Sequence, residues 1–187
     1  MYLFILFIVV AIAQLFVPAQ MIFNKESIIS NGTVYKFKTQ PVDPSDPYRG
    51  KYINLNYDVG SYKTIDTIWE RKDKVYVYLE TDSLGFAKVS EVSKEPLNVS
   101  KDFIIAEVGW YSKIEQELNF SLPFNRYYME ETKAYDAEVA VRNNQRDSLS
   151  NNTYALVYIK NGEAVLSDII INEISIKDYV DKVDKNQ

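Results

Sequence analysis

The chain of 187 residues contains no cysteine and no histidine. Without cysteine there is no disulfide, no thiol nucleophile and no lipid-modified Cys. With histidine missing too, Ser-His-Asp and Cys-His catalysis and the usual zinc and iron ligand sets are excluded together. Any chemistry would have to run on carboxylates, Lys, Tyr or Ser. The sequence offers no catalytic constellation, no metal site and no cofactor motif built from these. Positive charge lacks a pattern as well. The 21 basic residues, set against 26 acidic ones for a net −5, are scattered rather than gathered on one face. That scatter argues against nucleic acid as a partner.

Charge is absent altogether from residues 2–24. At 1.5 Å per residue, an apolar helix of some 22 residues reaches roughly 33 Å, enough to cross a hydrocarbon core. Gln14, Pro18 and Gln20 interrupt the run, and a proline is tolerated in a spanning helix. A cleaved secretory signal competes, with a hydrophobic core over 3–13 and small residues around Val17, Pro18 and Ala19. Two features favour a retained anchor over 1–23: no Lys or Arg precedes the apolar run, and apolar residues continue through Phe23. The bilayer is thus the first expected partner, through residues 2–23. Lys25 and Glu26 are the nearest flanking charges, so the positive-inside rule has almost nothing to count.

The remaining chain, about 160 residues, suits one domain with a real core. Residues 24–32 read as a short juxtamembrane helix or linker ending at Asn31 and Gly32. Aromatic and β-branched runs split by turn residues then predict strands over 33–39, 51–57, 75–79, 86–92 and 103–110. A turn at residues 82–85 joins the third and fourth. Alternation is clearest over 113–122, which sets Ile114, Leu118, Phe120 and Leu122 on one buried face. Asn161-Gly162 between strand-like runs at 153–160 and 163–166 is a strong hairpin signal. A last strand is expected over 169–176, followed by a polar tail at 177–187. Residues 129–143 read as a helix, with Ala134, Ala137 and Val141 on one stripe, acids in its first turn and Arg142 near its end. The fold class is mainly β (α+β): an antiparallel β-sandwich or partly open barrel over 33–176, with one or two helices, preceded by the membrane helix.

One stretch has a recognisable shape. The loop-plus-strand from Pro41 through Gly50, Tyr52, Leu55 and Tyr57 resembles the signature of the GDYXXLXY family of membrane-anchored bacterial proteins. Lys51 stands where that family has Asp. The apolar helix ahead of the motif, a second block at Asn125, Arg126, Tyr127 and Tyr128 with acids following, and the hairpin at Asn161-Gly162 fit the same family. The resemblance implies a bacterial, single-pass membrane context with the soluble domain on the extracytoplasmic, periplasmic side. It implies no assigned activity.

Along the motif strand, Ile53, Leu55 and Tyr57 share one face and Tyr52, Asn54 and Asn56 the other. Leu55 and Tyr57 are expected in the core and Tyr52 on another surface. Asp43 and Asp46 each precede a proline and favour turns, and Gly50 allows a tight entry to the strand. The binding patch drawn from the two blocks comprises Asp43, Arg49, Gly50, Tyr52, Leu55, Tyr57, Arg126 and Tyr127. Arg49 and Arg126 would serve an anion or a peptide there, or simply tie down a loop. Calcium on Asp43, Asp46 and Asp58 is the weaker alternative, since the spacing matches no calcium loop.

The preferred function is a non-enzymatic, membrane-tethered accessory or interaction domain, held close to the bilayer and working with a polytopic membrane protein. One alternative is a Ser/Lys hydrolase, with Ser61 and Lys63 or Ser90 and Lys88 as pairs. Another is a small-ligand or lipid-binding barrel, because fifteen tyrosines and nine phenylalanines can line a cavity as well as fill a core.

Overall fold

A computed structural model describes residues 2–40, 52–128 and 153–179. The chain enters on helix α1 (Tyr2–Asn31), long enough to span a membrane and apolar enough, with a mean hydropathy of 2.5 over an 18-residue window. Residues 2–26 are exposed to solvent apart from a half-buried Ala11. The helix therefore projects clear of the domain and touches it only with its last turn. Residues 24–31, expected to be a helix or a linker, continue α1 without a break. Ile28 is the one buried residue of the helix. Asn31 Nδ2 donates to the Ser27 carbonyl and the Gly32 amide to the Ile28 carbonyl, satisfying two of the carbonyls a helix end leaves over.

Strand β1 (Thr33–Gln40) follows immediately and pairs antiparallel with β10 (Thr153–Lys160) from Thr33 to Lys38. The first sheet is completed by β3 (Asn56–Tyr57), β11 (Glu163–Ile171) and β12 (Ile174–Ser175), in the order β12-β11-β10-β1-β3. The second sheet contains β4 (Ser61–Lys63), β5 (Lys74–Thr81), β6 (Ala87–Ser93), β7 (Phe103–Ser112) and β8 (Glu117–Ser121), in the order β4-β8-β7-β5-β6. A two-stranded ribbon of β2 (Tyr52–Asn54) and β9 (Arg126–Tyr128) stands apart from both. Every ladder among the described residues is antiparallel. Isolated parallel bridges, Lys36 to Phe86 and Ile104 to Gly162, stitch the two sheets together. The fold is thus the β-rich arrangement expected, two sheets closing toward a barrel behind one long apolar helix.

Turn chemistry accounts for the corners. Asn161 and Gly162 both have positive φ (52° and 83°), as a two-residue hairpin matched to strand twist requires. At the β5–β6 corner, Asp82 Oδ1 accepts the amides of Leu84 and Phe86, and Gly85 takes φ +84°. One continuous core fills the space between the sheets. Phe37, Leu55, Val75, Val77, Ile104, Leu118, Ala155, Val157 and Ile169 are among its fully enclosed members.

Three sequence expectations are corrected. The strand predicted over 113–122 begins only at Glu117. Residues 113–116 form the β7–β8 turn, with Gln116 at φ 52°, so Ile114 stands at its tip 96 % exposed instead of in the core. The alternation had continued by coincidence across a turn that carries neither Gly nor Pro. The strand expected over 169–176 is two strands, because Asn172 and Glu173 both take positive φ and reverse the chain. The motif strand breaks at Leu55, so that β2 and β3 serve different partners. The helix expected over 129–143 lies outside the described residues, as does the tail beyond 179.

Candidate functional site: the motif ribbon

β3 joins the first sheet at Thr39 and Gln40, the end of β1 farthest from the helix. Six residues of strand at about 3.3 Å each put that junction roughly 20 Å from the start of β1. The motif's strand thus joins the sheet a strand's length along β1 from the helix end. Just ahead of β3, the Leu55 amide donates to the Asn125 carbonyl at 2.8 Å and commits the chain to β9. β2 and β9 then pair Tyr52 with Tyr128, Ile53 with Tyr127 and Asn54 with Arg126. Two blocks separated by some seventy positions in the chain become one ribbon.

Its inner side is locked to the core. Leu55 and Tyr57 are buried, as the strand alternation predicts. Tyr57 packs edge-on against Phe37 and Phe124, whose own rings meet at 5.1 Å, and donates its hydroxyl to the Phe124 carbonyl at 2.9 Å. Burial pushes the Tyr57 phenol well above its ordinary value of 10. Tyr127 also points inward, donating to Asp168 Oδ1 at 3.3 Å; burial first, then that carboxylate, raises its phenol too.

The outer side is different in kind. The Tyr52 and Tyr128 rings lie 5.6 Å apart, and the Arg126 guanidinium sits 5.0 Å over the Tyr52 ring. Tyr128 is 66 % exposed, and Asn54 and Arg126 are exposed beside it. A guanidinium held over a ring keeps its planar fork of donors for a carboxylate or phosphate. Two flanking aromatic rings add rigid contact area at little entropic cost.

Of the residues named for this patch, Tyr52 and Arg126 meet on the outer face, while Leu55, Tyr57 and Tyr127 form its buried support. Asp43, Arg49 and Gly50 lie outside the described residues, as does Asp46. Tyr128 and Asn54 were missed. Period-2 alternation from Tyr127 would have found Tyr128, once β9 was known to be a strand.

The other sequence candidates separate. The Ser61 hydroxyl bonds Glu117, and Lys63 bonds the same carboxylate at 3.3 Å. Ser90 Oγ is buried without a partner, whereas Lys88 is exposed and pairs with Glu80. Neither pair is a dyad. A serine and a lysine do meet elsewhere, with Lys160 Nζ donating to Ser27 Oγ at 2.9 Å. There an ammonium gives a hydrogen bond to the hydroxyl, the reverse of a base taking its proton, and the contact straps α1 to the hairpin. Asp58 is exposed, and among the described residues no three His, Cys, Asp or Glu side chains gather as metal ligands. The rings of Phe37, Tyr57 and Phe124 interlock in the core.

An apolar helix of spanning length bearing a β-domain, with an aromatic and cationic ribbon on its surface, defines a class of helix-tethered β proteins. The chain belongs to the GDYXXLXY protein family, whose pattern matches residues 14–169. The match runs from the second half of α1 to β11 and includes both blocks of the ribbon. No curated protein and no solved structure matches the chain.

Proposed function

We propose that this protein is a membrane-tethered interaction module. In this reading α1 is retained as a single-pass anchor, the domain lies on the extracytoplasmic side, and the outer ribbon face binds an acidic segment of a polytopic membrane protein. The observation that carries the reading is the two-sidedness of the ribbon. Leu55, Tyr57 and Tyr127 hold it rigidly from behind, while Tyr128 and Arg126 remain displayed in front. A preorganised aromatic and guanidinium surface is what recognition needs, since hot spots concentrate in Tyr, Trp and Arg. The strapped helix end supports retention of the anchor, because Ile28 and Ser27 are part of the domain's own packing.

Photo-crosslinking tests it. With a benzophenone amino acid at position 128 of the full chain in native membranes, one discrete adduct with a membrane protein is expected. Arg126→Ala should weaken that adduct by about tenfold, the weight of one charge-assisted contact. If the same probe at Ile114 gave the same adduct, or position 128 gave none, the proposal would be wrong.

A further inference from the structure

β4 and β6 are the two free edges of the second sheet. They face each other where β1 crosses, and the space left there is a groove of about 440 Å³. Each of the three strands contributes one lysine to its wall: Lys38 from β1, Lys63 from β4 and Lys88 from β6. The apolar part of the wall is Val59, Phe86 and Val89. Lys63 and Lys88 are held from outside by Glu117 and Glu80, each at 3.3 Å. Lys38 has a ring instead of an acid, its Nζ lying 5.0 Å over Phe86. Two carboxylates also border the space. Asp82 has one oxygen committed to the amides of its own turn, and Asp58 is exposed at the rim.

We propose that this groove binds a small organic anion, a phosphate or carboxylate carried on an apolar body. The body would lie on Phe86 and the two valines and the anionic head against the Lys38 ammonium. Lys63 and Lys88 are already paired with carboxylates, so Lys38, whose ammonium lies over a ring, supplies the charge that meets the anion. A half-apolar pocket of this volume with a few convergent polar groups is the usual form of a small-ligand site. The position argues for a ligand taken from water. Lys38 is five residues along β1 from Thr33, about 17 Å beyond the end of the helix, so lipid head groups lie out of its reach. The site is independent of the ribbon face and stands whether or not that face binds a protein.

Calorimetric titration of phenyl phosphate into the full chain in zwitterionic nanodiscs is the test. A saturable one-site heat is expected, weakened at least tenfold by Lys38→Gln and by raised salt. Lys113→Gln, which removes an exposed lysine from the β7–β8 turn, should leave it unchanged. Inorganic phosphate should bind much more weakly, as should phenyl phosphate to a Phe86→Leu chain. Absence of saturation, equal losses in the Lys38 and Lys113 variants, or phosphate binding as tightly as its phenyl ester would each overturn the assignment. So would suppression of the heat in nanodiscs of anionic lipid, which would make a lipid head group the occupant.

Discussion

The two ends of β1 meet their neighbours in opposite ways. At Thr33 the chain arrives from the helix through Gly32, where a Cβ would come within 2.5 Å of the Ile28 carbonyl oxygen and 2.8 Å of that of Ile159. Backbone from a helix, a strand and a hairpin is pressed together there, and nothing is on offer to a partner. At Thr39 the strand meets β3, and the motif turns out of the sheet to make a ribbon whose outer face is aromatic, cationic and open. The first end is built for mechanical connection. The second is supported from behind and presented in front. A stability readout and a binding readout should therefore report on different ends.

The largest expected effect is at the connection. Gly32→Val forces a branched side chain against two backbone carbonyls, neither of which is the movable end of a side chain. A loss of about 3 kcal/mol is expected, a fall in Tm of roughly 6–12 °C for a chain of this size. A variant melting within a degree or two of wild type would break the contrast between the ends.

Tyr57→Phe comes next, since it strands the Phe124 carbonyl in the core and should cost about 1–3 kcal/mol. Arg126→Ala, two residues beyond Phe124 but on the outer face, should stay within about 0.5 kcal/mol of wild type. The same division has a pH signature. A buried phenol with a raised folded-state pKa contributes stability that is intact below pH 10, the unfolded value, and is lost as pH climbs above it. Absorbance at 295 nm should accordingly show Tyr57 and Tyr127 ionising only with global unfolding. Tyr35, pushed up to about 12 by burial and by Asp102, should titrate late as well.

The smallest effect is at Glu117. Hydrogen bonds from Ser61 and Lys63 hold its carboxyl below the usual carboxylate range. Its contribution is present above the ordinary pKa and disappears as pH falls through the lowered one. The Lys63 partner is exposed and Glu117 only half-buried, so the loss on acidification should be slight, erased by salt, and missing in Glu117→Gln.

Much of this was legible in the sequence because it rests on local chemistry. The uncharged run announced α1, Asn161-Gly162 announced its hairpin, and alternation put Leu55 and Tyr57 inside. What failed was non-local or unmarked. The turn at 113–116 uses Gln116 in a conformation that glycine usually occupies, so the sequence carried no break to read, and Ile114 was assigned to the core. The reversal at Asn172 and Glu173 hid in the same way. The ribbon was half visible, since both blocks stood out as motifs. Their register, which makes Tyr128 rather than Tyr127 the partner of Tyr52, depends on a pairing across some seventy residues that periodicity within either block cannot express. The groove of Lys38, Lys63 and Lys88 was invisible for the same reason: three scattered lysines become neighbours only when three strands do.

The unbroken passage from α1 into the domain has a further consequence. α1 runs to Asn31 without a joint, so in the anchored reading proposed above a rotation of the helix in the bilayer would carry the Tyr52 face round with it. Helix faces that pack against neighbouring spans would then aim the ribbon at a chosen side, and one residue added between Phe23 and Ser27 would swing that aim by about 100°.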